Sequence, residues 1–486
     1  MNKLLRFLIL NIKDRKIISI FNDLNKSQYN DRNIILDKQL YKLQLLLKHA
    51  YNNVPYYKAL LDDTGLVNEG RIELKSINQL RALPLLTKDI IREQKDNMYS
   101  LDINERKAYR NTSGGSTGEP VVFMQDMKYM VNNLASTYLA RSWRGAGLYD
   151  STVVLWGAER DTFEGKKPFT QVVKDFLLNT LRLNTFVLSG DVIECYIKIL
   201  NKRKPRLIIS YVQSIYTMAQ YAREKGIKVK KQQAIHAAAG TVFPFMREEI
   251  EKVFGCKVFN HYGSRETGPI ASECSNHKGL HIMMEHTLVE VLDKNGKPCI
   301  SGEEGEIVIT TLNNYSMPLI RYKIGDIGVI DKENNCDCSC NYSKLASIKG
   351  RVTGIFKTAN GGVVDGESFT HLFYFIEEIK IFQIIRAVQV LLYILPKTRP
   401  HHYGGSPDEH KCECYHCHRN PIVASPQAKA RVGRDNHDPG FRINILKCRG
   451  LQYGKRFAAP FRVIPDGRKI QQLIRQPKKI GAAQNP

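Results

Sequence analysis

Between Asn111 and Phe123 the chain reads NTSGGSTGEPVVF, with hydroxyl side chains set among three glycines. Small residues of this kind let backbone N–H groups and hydroxyls converge on an anion, the arrangement that holds phosphate. The phosphate loop of NTPases also carries a Lys-Ser/Thr pair after its last glycine. Here Gly118 is followed by Glu119. Taken alone, the stretch reads equally as a surface turn or as a lysine-free phosphate cradle. The cysteines raise a second chemistry. There are eleven, and several stand in close clusters, as in ECSNHKGLHI (273–282) and NCDCSCN (335–341). In a chain that begins without an export signal, such clusters point to metal ligation or free thiols before disulfides.

The elements that must position these residues follow from periodicity. Residues 36–62 space Leu, Tyr and Ala as a helix does, with a break at Pro55. STVVLWGAE (151–159) and PRLIISYV (205–212) read as buried strands. FPFMREEIEKVFG (243–255) reads as an amphipathic helix, and CKVFNHYG (256–263) as a strand leading into a loop. Alternation of this kind predicts an α/β sheet with helices packed on it. From 288 to 333 alternating strands with a turn at Asn295-Gly296 predict a β-rich region.

At 486 residues the chain is long enough for two or more domains, and no apolar run is long enough to span a bilayer. The N-terminal MNKLLRFLILNIKDRK is interrupted by Arg6 and runs on into charge. It reads as a docked helix rather than a signal peptide. The net charge of +24 invites a nucleic-acid reading, but half of that surplus falls in residues 387–486 and no nucleic-acid-binding module accompanies it. The remaining bias suits an acidic small ligand such as a nucleotide.

Five stretches in order, TSGGSTGEP (112–120), HAAAGTVFP (236–244), HYGSRETG (261–268), MPLIRYKIGDIG (317–328) and IKGRVTGIFKT (348–358), together resemble the adenylate-forming superfamily. The nearest branch is that of the phenylacetate–coenzyme A ligases and their CapK-like relatives, over about residues 35–385. The resemblance implies an α/β fold: a large multi-sheet N-terminal adenylate-forming domain over 1–349, with its β-rich subdomain at about 285–349. A hinge and the start of a small α+β C-terminal domain would occupy 350–386. It implies a cytoplasmic ligase that activates a small carboxylic acid with ATP and Mg²⁺ and passes the acyl group to coenzyme A or another acceptor, with a link to surface polysaccharide.

Site residues follow from the same resemblance. Thr112, Ser113, Gly114, Gly115, Ser116, Thr117 and Gly118 would wrap the β- and γ-phosphates. Ala239 and Gly240 would line the adenine slot, Tyr262 would pack on the base beside Gly263, and Asp326 would accept the ribose hydroxyls. Glu266 would ligate Mg²⁺, a hard oxygen donor for a hard cation. Arg351 would make a second phosphate or ribose contact, whereas Arg321 reads first as a structural ion pair. Acid specificity would come from the region of Trp156–Glu159 and Tyr211. Cys274, His281, Cys338 and Cys340 would form a structural zinc site, with His277 and Cys336 as competing ligands.

Two departures stand out. Gly354 occupies the hinge position where the family has Asp. Near residue 387 the composition changes from Ile, Lys, Asn and Tyr to Arg, Pro, His and Gln, a shift from AT-rich to GC-rich codons. Residues 387–486 therefore read as a basic, His/Cys/Pro-rich tail from a fused foreign segment or a changed reading frame, without a strand–helix pattern. HKCECYHCH (410–418) within it has a metal-like composition that reads as accidental. The lysine that the family's C-terminal domain delivers to the acyl-phosphate would have to be Lys455 or Lys469, both in this tail. Failing that, the chain would be a nucleotide-binding relative with impaired catalysis.

Overall fold

A computed structural model of the chain describes residues 15–113, 121–156, 169–185, 188–331 and 336–351, together with short strands beyond them. Its contacts divide it into two compact units, Met1–Gly354 and Ile355–Pro486.

The first unit opens with helices α1 (Arg15–Ser27) and α2 (Arg32–Asn53). Asp31 caps α2 by accepting from Asn33 N at 2.8 Å, and Ile35, Leu43, Leu46, Leu47 and Ala50 bury one face of it. Burial of each of these leucine and isoleucine side chains stabilises the fold by about 1.5–3 kcal/mol. Val54 is extended, as a residue before proline prefers, so α2 stops there, and Pro55 starts the next helix, Pro55–Asp62. The break anticipated at Pro55 is where the chain turns.

An eleven-stranded sheet forms the centre. The strands introduced here are β1 (Tyr109–Thr112) and β2 (Val122–Gln125), which form a separate hairpin, then β3 (Thr152–Leu155), β4 (Thr180–Leu183), β5 (Leu207–Tyr211), β6 (Ala234–Ala238), β7 (Lys257–Ser264), β8 (Gly268–Glu273), β9 (Leu280–Ile282), β10 (Thr287–Leu292), β11 (Glu304–Thr311), β12 (Tyr322–Asp331) and β13 (Lys344–Arg351). In the sheet they lie in the order β10-β11-β12-β13-β9-β8-β7-β6-β5-β3-β4. Strands β4, β3, β5, β6 and β7 pair in parallel. From β7 onward every pairing is antiparallel. The β-rich region foreseen for 288–333 is thus the antiparallel half of this sheet, and Gly296 takes φ +76° in its turn. The strand expected to give way to a loop at Gly263 continues to Ser264, which places Tyr262 and Gly263 on β7 itself.

Helices α4 (Gly190–Arg203), α5 (Val212–Glu224) and α6 (Pro244–Phe254) cover one face of the parallel half. Ile193, Ile215 and Met246 meet Val153, Ile208, Ile235 and Val258 there. Helix α6 is the amphipathic helix expected at 243–255, opened by Pro244 and closed by Gly255 at φ +63°. Helix α3 (Met127–Ser142) packs against α1 and β8 on the other side. The parallel strands deliver their C-terminal ends to one edge, where open α/β sheets hold ligands. Among the described residues no helix is long and apolar enough to cross a membrane.

In the second unit Ile355–Lys357 pairs with Val363–Asp365. A four-stranded sheet follows, with Ile384–Arg386, Leu391–Ile394, Arg442–Ile445 and Ala458–Pro460 in that order. Three of these strands fall after residue 387, where the sequence shows no strand pattern. They are three or four residues long, too short for period-2 alternation to register.

Candidate active site

The glycine-rich stretch starts as the β1–β2 hairpin, with Thr112 opposite Val122. Ser113 is buried; its backbone N–H donates to Val121 O at 2.9 Å and its hydroxyl oxygen accepts from Val121 N at 2.8 Å. The hairpin is therefore closed at the residue before the first glycine. Gly114, Gly115, Ser116, Thr117 and Gly118 lie outside the described residues.

At the other end of the hairpin stands Gln125, which sequence reasoning did not single out. Its buried amide accepts from Asn111 Nδ2 at 3.1 Å and donates to Arg265 O at 2.8 Å and Glu266 O at 3.3 Å. One side chain thus joins the hairpin to the β7–β8 turn. Asp126, next in sequence, caps α3 through Tyr129 N at 2.7 Å and accepts from Tyr315 N and Ser316 N, each at 3.0 Å. Glu266 is buried in that turn and pairs with no cation among the described residues, so its carboxylate suits a hard divalent cation.

The residues expected at the nucleotide gather along the strand ends. Ala239 leaves β6 in a left-handed conformation, φ +57°, and Gly240 follows it. Tyr262 on β7 donates from its phenol to Asp326 Oδ2 on β12 at 2.7 Å. Asp326 is in turn the strand partner of Arg351, the last residue of β13. At Gly263 a Cβ would stand 2.7 Å from Gly268 O, so only glycine allows β7 and β8 this close to Tyr262. The Trp156 and Tyr211 rings lie 4.0 Å apart, tilted by 32°, at the ends of β3 and β5, while Gly157, Ala158 and Glu159 lie outside the described residues.

Arg321 is structural. It is buried at φ +54°, forms a two-pronged pair with Glu290 at 3.1 Å on each side, and donates to Leu83 O at 2.6 Å.

The cysteine cluster needs one correction. Cys274, His281, Cys336 and Cys338 bring their ligating atoms within 4.8 Å of one another. Cys274 and Cys336 Sγ are 3.5 Å apart, and Cys338 Sγ lies 3.2 Å from His281 Nε2. The fourth member is Cys336 rather than Cys340. Ser339, at φ +62°, reverses the chain, and Cys340 is buried in the hydrophobic core, where burial pushes its thiol up to about 12. His277 is taken up elsewhere, with Nδ1 3.2 Å from Glu273 Oε2. His281 Nδ1 donates to Tyr342 O at 3.2 Å, which leaves the Nε2 lone pair to ligate, and burial holds this imidazole neutral at about 4. Three thiols and an oriented imidazole at this spacing fit a tetrahedral zinc ion.

Gly354, Lys455, Lys469 and the 410–418 cluster lie outside the described residues.

No protein-family model matches the chain. It is 28% identical over 354 residues to Protein CapK of Staphylococcus aureus, across 71% of this chain and 74% of that protein. It is 27% identical over 319 residues to the phenylacetate-coenzyme A ligase of Thermus thermophilus, across 64% of this chain and 68% of that enzyme. Among solved structures, 2-hydroxyisobutyryl-CoA ligase in its postadenylation state, in complex with R3-HIB-AMP, superposes with a TM-score of 0.57 at 17% identity, covering 73% of this chain and 77% of that one. The chain is a homologue of the first two proteins, and its architecture is the fold of the third.

Proposed function

We propose that this homologue of CapK and the phenylacetate–coenzyme A ligases is an acid–thiol ligase that works through an acyl-adenylate. The observation that carries this reading is the meeting of Tyr262, Asp326 and the strand end at Arg351, three motif residues far apart in sequence. A carboxylate oxygen of the acid attacks the α-phosphorus of ATP, and the bond to pyrophosphate breaks. A thiol sulfur then attacks the acyl carbon, and AMP leaves with the mixed-anhydride oxygen.

Both partners in the first step are anionic, so positioning and charge stabilisation dominate. Tyr262 packs on the adenine and orients Asp326, whose carboxylate accepts from the ribose hydroxyls. The hairpin closed by Ser113 presents the glycine-rich loop to the β- and γ-phosphates. Gln125 holds the Glu266 turn against that hairpin. Mg²⁺, when held by Glu266, supplies charge neutralisation between the phosphates. Zinc on Cys274, His281, Cys336 and Cys338 would tie the β8–β9 connection to the β12–β13 connection, a structural role. Coenzyme A is the acceptor, use of ATP and coenzyme A places the reaction in the cytoplasm, and the likeness to CapK motivates a role in surface polysaccharide.

Carboxylate-dependent exchange of labelled pyrophosphate into ATP tests the first step. Exchange with at least one acid, dependent on Mg²⁺, is the expected outcome. Folded protein that exchanges with no acid across a broad panel would refute the reading.

A further inference from the structure

Strand register sets a row of side chains beside the residues proposed to hold the nucleotide. On the sheet face away from α4–α6, Val154, Ile209, His236 and Phe259 stand in one row across β3, β5, β6 and β7. Two residues further along each strand come Trp156, Tyr211, Ala238 and His261, nearer the strands' C-terminal ends. The Trp156 and Tyr211 rings lie 4.0 Å apart, and His236 and His261 lie 4.4 Å apart. Between the aromatic pair and the imidazoles this row holds only the methyl group of Ala238.

The protonation of His261 follows from its neighbours. Arg144 is buried and donates to Ala140 O at 2.7 Å and to Ser272 Oγ. Ser272 Oγ lies 3.1 Å from His261 Nδ1, nearer than the 3.4 Å to Asn260 O. The hydroxyl carries one proton and faces two acceptors, Nδ1 and Asn260 O; given to Nδ1, the nearer, it leaves the ring hydrogen on Nε2. Burial, then Arg144 and Arg141, holds the ring neutral by pushing it down to about 3. Behind it His236 is buried, and its Nδ1 has no hydrogen-bond partner among the described residues. A buried ring nitrogen in that state calls for a polar ligand atom or a water beside it.

We propose that His261 is a specificity residue whose Nε2–H donates to an oxygen on the acyl part of the acid, while Trp156 and Tyr211 pack against its apolar part. The substrate is then a carboxylic acid bearing a hydroxyl or carbonyl oxygen, not a plain alkyl or aryl acid. This inference rests on the acid-activating reading above.

The test uses the full chain and matched acids that differ by one hydroxyl: phenylacetate against its α- and ring-hydroxylated forms, and butyrate against 3-hydroxybutyrate. Two readouts are taken, kcat/KM in pyrophosphate exchange and the acid-induced shift in Tm. Wild type is expected to favour an oxygen-bearing member at least about tenfold, because a site built around a hydrogen bond rejects the analogue that lacks it. His261→Leu should abolish that preference, His261→Gln should retain part of it, and Ser272→Ala should weaken it by releasing the ring. Exchange without discrimination, or a ratio unchanged in folded His261→Leu, overturns the proposal and leaves the ligase reading intact. A Tm shift that discriminates through His261 without any exchange sustains the role proposed for it and sinks the ligase reading. Neither exchange nor a Tm shift with any acid overturns both.

Discussion

The Tyr262 phenol donates to Asp326 Oδ2 at 2.7 Å across 64 residues of sequence, joining the residue proposed to pack on the base to the one proposed to accept from the ribose. Hydrogen bonds to charged groups contribute about 1.5–3 kcal/mol. Tyr262→Phe keeps the ring and removes the donor, so KM for ATP should rise about tenfold or more while the fold persists. Tyr262→Leu should cost more, since the packing goes too. ATP titration of the exchange reaction measures both, and an unchanged KM in Tyr262→Phe would show that the phenol does not orient Asp326.

The cluster at β9 makes a prediction that separates two neighbouring cysteines. Cys336→Ser and Cys338→Ser should purify with little zinc, whereas Cys340→Ser should keep about one ion per chain, because only the first two face Cys274 and His281. Elemental analysis reads this directly. Chelation should lower the Tm of wild type and leave Cys336→Ser nearly unchanged, since the metal's binding free energy adds to the stability of the folded state. Zinc lost equally from Cys340→Ser would reassign the fourth ligand.

Arg321, which is buried, pairs with the part-buried Glu290 and also donates to Leu83 O. Removing one partner strands the other charge, a loss of about 3–5 kcal/mol. Arg321→Met and Glu290→Gln should both show this in urea unfolding. The double variant should recover part of it, as no lone charge remains. Full additivity would mean that the two side chains do not act on each other.

Asp102 sets a pH dependence. A salt-linked bond from Arg106 holds its carboxyl down to about 2, against an ordinary 3.8. A depressed acid contributes stability that is complete above 3.8 and fades as pH falls toward about 2. Asp102→Asn should therefore be less stable than wild type at neutral pH, with the gap closing across that acid window. Urea unfolding of wild type and Asp102→Asn across that pH range measures the gap. A gap independent of pH would place its origin outside this carboxylate.

What could be read from the sequence was local. The glycine-rich stretch, Tyr262, Glu266 and Asp326 stand in short ordered motifs, and Pro55 and Gly255 punctuate helices by their own backbone preferences. The choice between Cys336 and Cys340 was not legible. Alternate cysteines have equal claim until the left-handed turn at Ser339 sends one into the core. His261 opens the HYGSRETG stretch, yet the role proposed for it depends on Arg144 and Ser272, which arrive from α3's end and from β8. Contacts set by tertiary register leave no periodicity to find.

Gln125 is the clearest case of a residue whose partners lie beyond sequence reach, 140 and 141 positions away. It accepts from Asn111 on the opposite strand of the hairpin and donates to both carbonyls of the Arg265–Glu266 turn. If Glu266 ligates Mg²⁺ between phosphates that the hairpin presents, the distance between turn and hairpin must be held to a fraction of an ångström. Gln125→Leu fills the same space and cuts both ties. Exchange kcat should fall by about ten- to a hundredfold, and the Mg²⁺ concentration for half-maximal rate should rise, because the turn no longer holds its carboxylate in register. Gln125→Glu should fare as badly, since a carboxylate repels the two carbonyl oxygens it would face. KM for the acid should change little, as the row proposed to hold the acid, Trp156 to His261, does not include this contact. A lower kcat with an unchanged Mg²⁺ requirement would instead assign Gln125 to the stability of the hairpin alone.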